Sequence, residues 1–241
     1  MGYTRPCIAP LGRPSSRLAE LRPQAVSESV EQLAPGTRYY FRLQASHGDK
    51  VVSGPIANFT TLKGAQTIHF DETPANLKYG ASPIQLTVWS TSRLPLQFKV
   101  IEGSAEVRNY SAYFGVADLV IKGAGTIKIA VSQAGNSQYL AAKTVIMTMT
   151  VAKADLTVTA DNETITAGAK VPALGFSITG FVNGDTQGAA TEGAPLVTTL
   201  VTSETPPGHH SIYVSDGTAS KRLVSSNYAF KFVDGTLTVN P

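Results

Sequence analysis

The side chains best suited to chemistry are few and scattered. His209 and His210 form the one adjacent histidine pair. Neighbours on a strand point to opposite faces, so such a pair chelates poorly, and no cysteine or further histidine follows at zinc-ligand spacing. Asp161, Glu163, Asn183 and Asp185 carry the oxygen ligands that calcium takes from loops. Yet they are dispersed, no D-x-D-x-D-G loop gathers them, and "FVNGDT" reads first as a turn. "KGAGT", Lys122 to Thr126, has the glycines and lysine of a phosphate loop without the G-x-x-x-x-G-K-[ST] order. It reads as a hairpin turn. No G-x-S-x-G elbow occurs. No enzyme, cofactor or metal is expected. The single tryptophan, Trp89, is the candidate ligand-binding residue. Exposed aromatics anchor sugars and proteins, and the competing role is packing against a neighbouring loop or domain. Asn58, Asn109 and Asn162 fall in N-x-[ST] sequons, which abundant Ser and Thr produce by chance.

The elements that would hold these residues are strands. Ile84, Leu86 and Val88 alternate with Gln85, Thr87 and Trp89, which puts Trp89 on the outward face. The same period of two runs through Tyr39–Ala45, Leu96–Val100, Ile127–Val131, Val145–Val151, Leu156–Val158, Leu174–Ile178, Phe230–Phe232 and Leu237–Val239. Turn signals such as "APGT", "KYGAS", "QAGNS", "TAGAK", "VNGDT" and "VDGT" separate the runs. Short strands at this spacing predict β-sandwiches.

Composition narrows the class further. The chain has 241 residues, of which 42% are hydrophobic and 15% charged, enough for two or three small domains with packed cores. A net charge of +3, with Arg5, Arg13, Arg17 and Arg22 crowded at the start, is no basic face for nucleic acid. One cysteine, Cys7, excludes an intrachain disulfide. No apolar run reaches the roughly 18 residues of a membrane span, and the start lacks the apolar core of a signal peptide. Pro14 and Pro23 bracket "SSRLAELRP", so residues 1–23 are expected to be a disordered N-terminal segment.

Two stretches repeat loosely. "YGASPIQLTVWSTS" at 79–92 aligns with "AGAKVPALGFSITG" at 167–180, and "GNSQYLAAKTVIMTMTV" at 135–151 with "SSNYAFKFVDGTLTV" at 225–239. The offset is about one sandwich domain. Hinges are expected near 61–66 and 151–155.

Leu33, Pro35, Gly36, Thr37 and Tyr39 stand in the order of a tyrosine corner. With "YYFRLQAS" and "SGPIANFTTL" they make residues 24–62 resemble the last three strands of a fibronectin type III domain, with the opening strands missing. Residues 65–152, through "GAGT" and "SQAGNSQYLAA", resemble a bacterial immunoglobulin-like repeat. Residues 153–241, through "ITGFVNGDT" and "DGTLTV", resemble the MBG-type domain, a mostly-β, glycine-rich module. Ala167-Gly168 departs from that family's usual Tyr-Gly, which Tyr79-Gly80 keeps in the unit before.

The expected fold is therefore all-β: tandem immunoglobulin-like sandwiches after an incomplete fibronectin type III-like unit. The resemblances imply a non-enzymatic structural or adhesive module of a multidomain bacterial surface or secreted protein. The alternative is a carbohydrate- or protein-binding accessory module of a larger secreted hydrolase, using Trp89 or the loops near Asn183 and His209. The expected location is extracellular or cell-surface, the absent signal peptide reflecting a truncated start. Expected partners are extracellular glycans or proteins, not nucleic acid.

Overall fold

The computed structural model describes residues 25–218 and 221–241. The expectation for residues 1–23, and Cys7 with it, lies outside the described residues. The chain divides into two compact units, the first running to Thr67 and including Ala134–Ala142, the second comprising Ile68–Gln133 and Lys143–Pro241.

The first unit has strands β1 (Arg38–Phe41), β2 (Gln44–His47), β3 (Lys50–Ser53) and β4 (Ala57–Thr60). The single run expected over Tyr39–Ala45 is two strands. β1 pairs with β4, ending at Phe41↔Ala57, and β2 pairs with β3, beginning at Gln44↔Ser53. Arg42 and Leu43 thus face three residues, Gly54 to Ile56, one of which is a proline that cannot donate to the ladder. The Gly54 N–H donates to Leu43 O at 2.8 Å and holds the two halves in line. Apolar side chains remain open on this hairpin: Phe41 is 50% exposed, Leu43 64% and Val52 69%. The loop of residues 134–142 belongs to this unit. Gly64 N–H donates to Gln138 O at 2.8 Å, Leu140 N–H to Gly64 O at 2.9 Å, and the buried Gln66 amide to Leu140 O at 2.6 Å.

The second unit holds two sandwiches. Strands β5 (Ile68–Phe70), β6 (Leu77–Lys78), β7 (Ile84–Ser90), β8 (Gln97–Glu102), β9 (Ala105–Ser111), β10 (Val116–Ile121), β11 (Gly125–Ser132) and β12 (Val145–Ala152) form sheets in the orders β5-β7-β10-β9 and β6-β12-β11-β8. Alternation buries one face of each: Leu86 and Val88, Leu119 and Ile121, Ile127 to Val131, Met147 to Val151. Apolar burial of this kind contributes about 25 cal/mol for each Å² removed from water.

The second sandwich has β13 (Ala154–Ala160), β14 (Glu163–Thr166), β15 (Phe176–Thr179), β16 (Leu196–Thr199), β17 (Gly208–Ser215), β18 (Tyr228–Val233) and β19 (Gly235–Asn240), with one helical turn, α1 (Gln187–Ala190). Its sheets run β15-β13-β18 and β14-β19-β17-β16. Val158, Ala160, Ile212, Leu237 and Val239 form its core, with Phe176, Ile178, Phe230 and Phe232 packed against them.

The two sandwiches share a plan. Their second sheets match strand for strand, and in each the short strand before the Tyr-Gly or Ala-Gly turn pairs parallel to the final strand. Leu77 faces Val151, and Ile165 faces Val239. A side-chain turn also recurs, once in the 134–142 loop of the first unit and once before β18. Asn136 Oδ1 accepts from the N–H groups of Gln138 and Tyr139, and Ser225 Oγ accepts from those of Asn227 and Tyr228. The stretch 151–155, expected as a hinge, is not a loop: all but Lys153 lie in β12 or β13.

Candidate functional site: the junction of two sandwiches

A set of polar contacts joins the two sandwiches of the second unit. Lys153 is the only residue between β12 and β13, and its ammonium donates to Ser225 O at 2.7 Å. Around this pivot, groups of the first sandwich meet groups of the second. Lys78 Nζ pairs with Asp155 Oδ2 at 2.7 Å. The Ala124 N–H, in the "KGAGT" turn, donates to Asn227 Oδ1 at 3.0 Å. The hairpin expected there is not formed: β10 and β11 belong to different sheets, so the turn carries the chain from one sheet of the sandwich to the other.

At the centre, Asp185 Oδ2 accepts from the hydroxyls of Tyr79 at 3.0 Å and Tyr228 at 2.7 Å. Tyr228 Oη also accepts from the Val182 N–H at 3.0 Å. The Tyr79 ring meets Tyr228 edge-on, centroids 5.5 Å apart, and Phe181 meets it from another side at 5.7 Å. Such pairs add about 0.5–1.5 kcal/mol beyond area burial. Tyr79 and Tyr228 are both buried. Burial pushes the Tyr228 hydroxyl up to about 12, the Val182 contact opposing and the Asp185 carboxylate adding to the rise. Asp155 lies below the usual carboxylate range, first because Lys78 hydrogen-bonds it and then because Lys231 is near.

This arrangement holds two bodies together. It brings no nucleophile to a base, and among the described residues no three His, Cys, Asp or Glu side chains gather as a metal cluster would. The residues weighed as calcium ligands are used separately. Asp185 serves the junction, Asn183 sits exposed on the turn before it with φ of 57°, Asp161 N–H bonds Gly175 O at 3.0 Å, and Glu163 lies on β14. His209 and His210 go apart. His209 Nδ1 is 3.1 Å from Thr238 Oγ1, and His210 Nε2 donates to Pro206 O at 3.1 Å. Asn162 Oδ1 accepts from Thr236 N–H at 2.7 Å, and Asn109 Nδ2 donates to Asp118 Oδ2 at 2.8 Å.

Trp89 lies on the face of β7 opposite Leu86 and Val88. It is half-buried and stacked on His69 of β5, centroids 5.8 Å apart and planes 23° from parallel. At the β9–β10 tip, one residue from the Gly115 that borders the Trp89 Cβ, Tyr113 and Phe114 meet edge-on and stand 84% and 72% exposed. In the first unit, Tyr39 Oη accepts from Ala34 N–H at 2.8 Å, five residues back. Thr37 Oγ1 donates to Pro35 O at 2.9 Å, and Gly36 N–H to Leu62 O at 3.0 Å. Leu33 is half-buried at the start of that corner.

The fold and junction define a pair of β-sandwiches in tandem. Residues 156–238 match the family model of the MBG domain, YGX type. No curated protein matches the chain. Among solved structures, the D0-D1 domain of intimin is 19% identical, covering 72% of this chain and 97% of its own, with a TM-score of 0.24. An endo-fucoidan hydrolase from glycoside hydrolase family 107 is 12% identical, covering 84% of this chain and 34% of its own, with a TM-score of 0.28. At those scores neither likeness carries an argument about function.

Proposed function

We propose that the protein is a non-enzymatic spacer or adhesive scaffold of a multidomain bacterial surface or secreted protein. Its modules are a partial fibronectin type III-like piece over residues 24–62, an immunoglobulin-like sandwich over 65–152 and an MBG-type sandwich over 153–241. The observation that carries this reading is the junction. Two sandwiches with separate cores are linked by a single non-strand residue and locked by Tyr79, Asp185 and Tyr228. A module that works by holding distance and direction needs such a joint. The MBG match over 156–238 supports the same reading. The test is an immunoblot of cell fractions from the native organism with an antibody against residues 65–241. The product is expected at the cell surface or in the medium; a product confined to the cytoplasm refutes the proposal.

A second reading is favoured by the aromatic end of the first sandwich, where Trp89 stacks on His69 and the tip Tyr113 and Phe114 are open to solvent. There the chain is a glycan- or protein-binding module with Trp89 in the site. Binding on a glycan array that Trp89→Ala abolishes, with folding intact, supports it. Binding that survives the substitution removes Trp89 from the site.

A further inference from the structure

We infer that the Tyr79–Gly80 turn is a docking element for the neighbouring sandwich, fixing its orientation, and is not required by the sandwich that carries it. The molecule contains its own comparison. Tyr79 N–H donates to Ala152 O at 2.9 Å and Ala81 N–H to Lys78 O at 3.1 Å. In the second sandwich, Ala167 N–H donates to Asn240 O at 2.8 Å and Ala169 N–H to Thr166 O at 3.0 Å. Both turns follow a strand paired parallel to the last strand of their sandwich. Both put glycine at the third position with positive φ, 89° at Gly80 and 82° at Gly168, as a type II turn needs. Position for position, Tyr79 is Ala167 and Gly80 is Gly168.

The two turns differ in what lies beyond them. A Cβ on Gly168 would meet nothing within 4 Å, whereas one on Gly80 would lie 2.5 Å from Val182 Cγ2. The closure at Gly80 therefore comes from the neighbouring sandwich, not from the turn. Likewise alanine suffices at 167 to build the turn, so the tyrosine at 79 answers a different demand. That demand is Asp185, whose Oδ2 it shares with Tyr228. The socket is made of the Val182 side chain, the Asp185 carboxylate and the Tyr228 ring, on the loop between β15 and α1 and the start of β18. The partner it fits is a Tyr-Gly turn of another sandwich. This inference goes beyond the spacer reading and stands whether or not the protein reaches the cell surface.

The experiment measures the distance between spin labels at Lys143→Cys and Thr202→Cys, one in each sandwich, in the full chain carrying Cys7→Ser. The parent chain is expected to give one narrow distance. Tyr79→Ala and Gly80→Ala are expected to broaden it at least two-fold in width, and Val182→Gly, which removes both the Cγ2 and the Cβ that a Gly80 Cβ would strike, is expected to narrow it again in the Gly80→Ala background. Gly168→Ala carries the same positive-φ strain and is expected to leave the width unchanged. A narrow distance in Tyr79→Ala overturns the inference, as does equal broadening by Gly168→Ala. Loss of folding by Tyr79→Ala, read from near-ultraviolet circular dichroism, also overturns it, because it would show that the first sandwich needs the tyrosine for itself.

Discussion

Tyr79 and Asp185 meet at 3.0 Å across the junction, although 106 residues separate them in the chain. The tyrosine comes from the turn after β6, and the carboxylate from the loop after β15. Tyr79 is buried, and Asp185 is half-buried on its loop. Their contact links the two sandwiches, and the energetics of that contact can be tested piece by piece.

Tyr79→Phe removes one donor from Asp185 while Tyr228 continues to serve it, so the expected loss is about 0.5–1.5 kcal/mol of stability. Tyr228→Phe is expected to cost more, about 1–3 kcal/mol, because the Val182 N–H loses its acceptor and Asp185 loses its shorter partner. Urea denaturation of the two variants gives the comparison. Equal costs would mean that Val182 finds water in place of the phenol.

Alkali should loosen the junction through Tyr228. Its folded-state pKa is raised to about 12 against an ordinary value near 10. The neutral phenol therefore contributes stability that is fully present below pH ~10 and is lost as pH rises toward ~12. Burial also raises the Tyr110 hydroxyl, so phenolate absorbance should show more than one late-titrating tyrosine, of which Tyr228→Phe removes one.

On the acid side the relevant group is Asp155. Its folded-state pKa is depressed, first by the Lys78 hydrogen bond. Its contribution is present above the ordinary carboxylate value and is lost as pH falls through the depressed one. Lys78→Ala should move the Asp155 titration upward in an NMR pH series. The pair is exposed, so stability near neutral pH should change little and less still in high salt.

Leu156 on β13 is fully buried in the second sandwich. Leu156→Ala should cost about 2–5 kcal/mol by lost transfer energy and cavity formation. Hydrogen exchange should show the loss in β13 to β19 before it shows in β7 to β11. Uniform loss through both sandwiches would mean that the junction couples them into a single folding unit.

Much of the fold is legible where polarity alternates cleanly. Met147, Met149 and Val151 are buried while Thr148 and Thr150 are exposed, so β12 shows in the sequence. β10 does not show. Its buried Ala117, Leu119 and Ile121 are interleaved with the half-buried apolar Val116 and Val120, which blur the period of two. In the first unit, the alternation of Tyr39 to Ala45 continues through Arg42 and Leu43, where the pairing breaks, because the cause lies opposite, at Gly54–Ile56. Trp89 could be placed on the outward face from β7 alone, but its stack on His69 depends on strand pairing. The junction left less trace. Asp185 reads locally as part of a turn, and Tyr79 as part of a glycine turn; their meeting depends on how one sandwich abuts the next. The one signal was the alignment of Tyr79-Gly80 with Ala167-Gly168, which marks position 79 as carrying more than a turn requires.

The most direct test of a rigid spacer is a set of backbone residual dipolar couplings on the full chain. Couplings from β7 to β12 and from β13 to β19 are predicted to fit one alignment tensor, because the junction holds both sandwiches as one body. Two tensors of different magnitude and direction would mean independent motion, and the spacer account would fail.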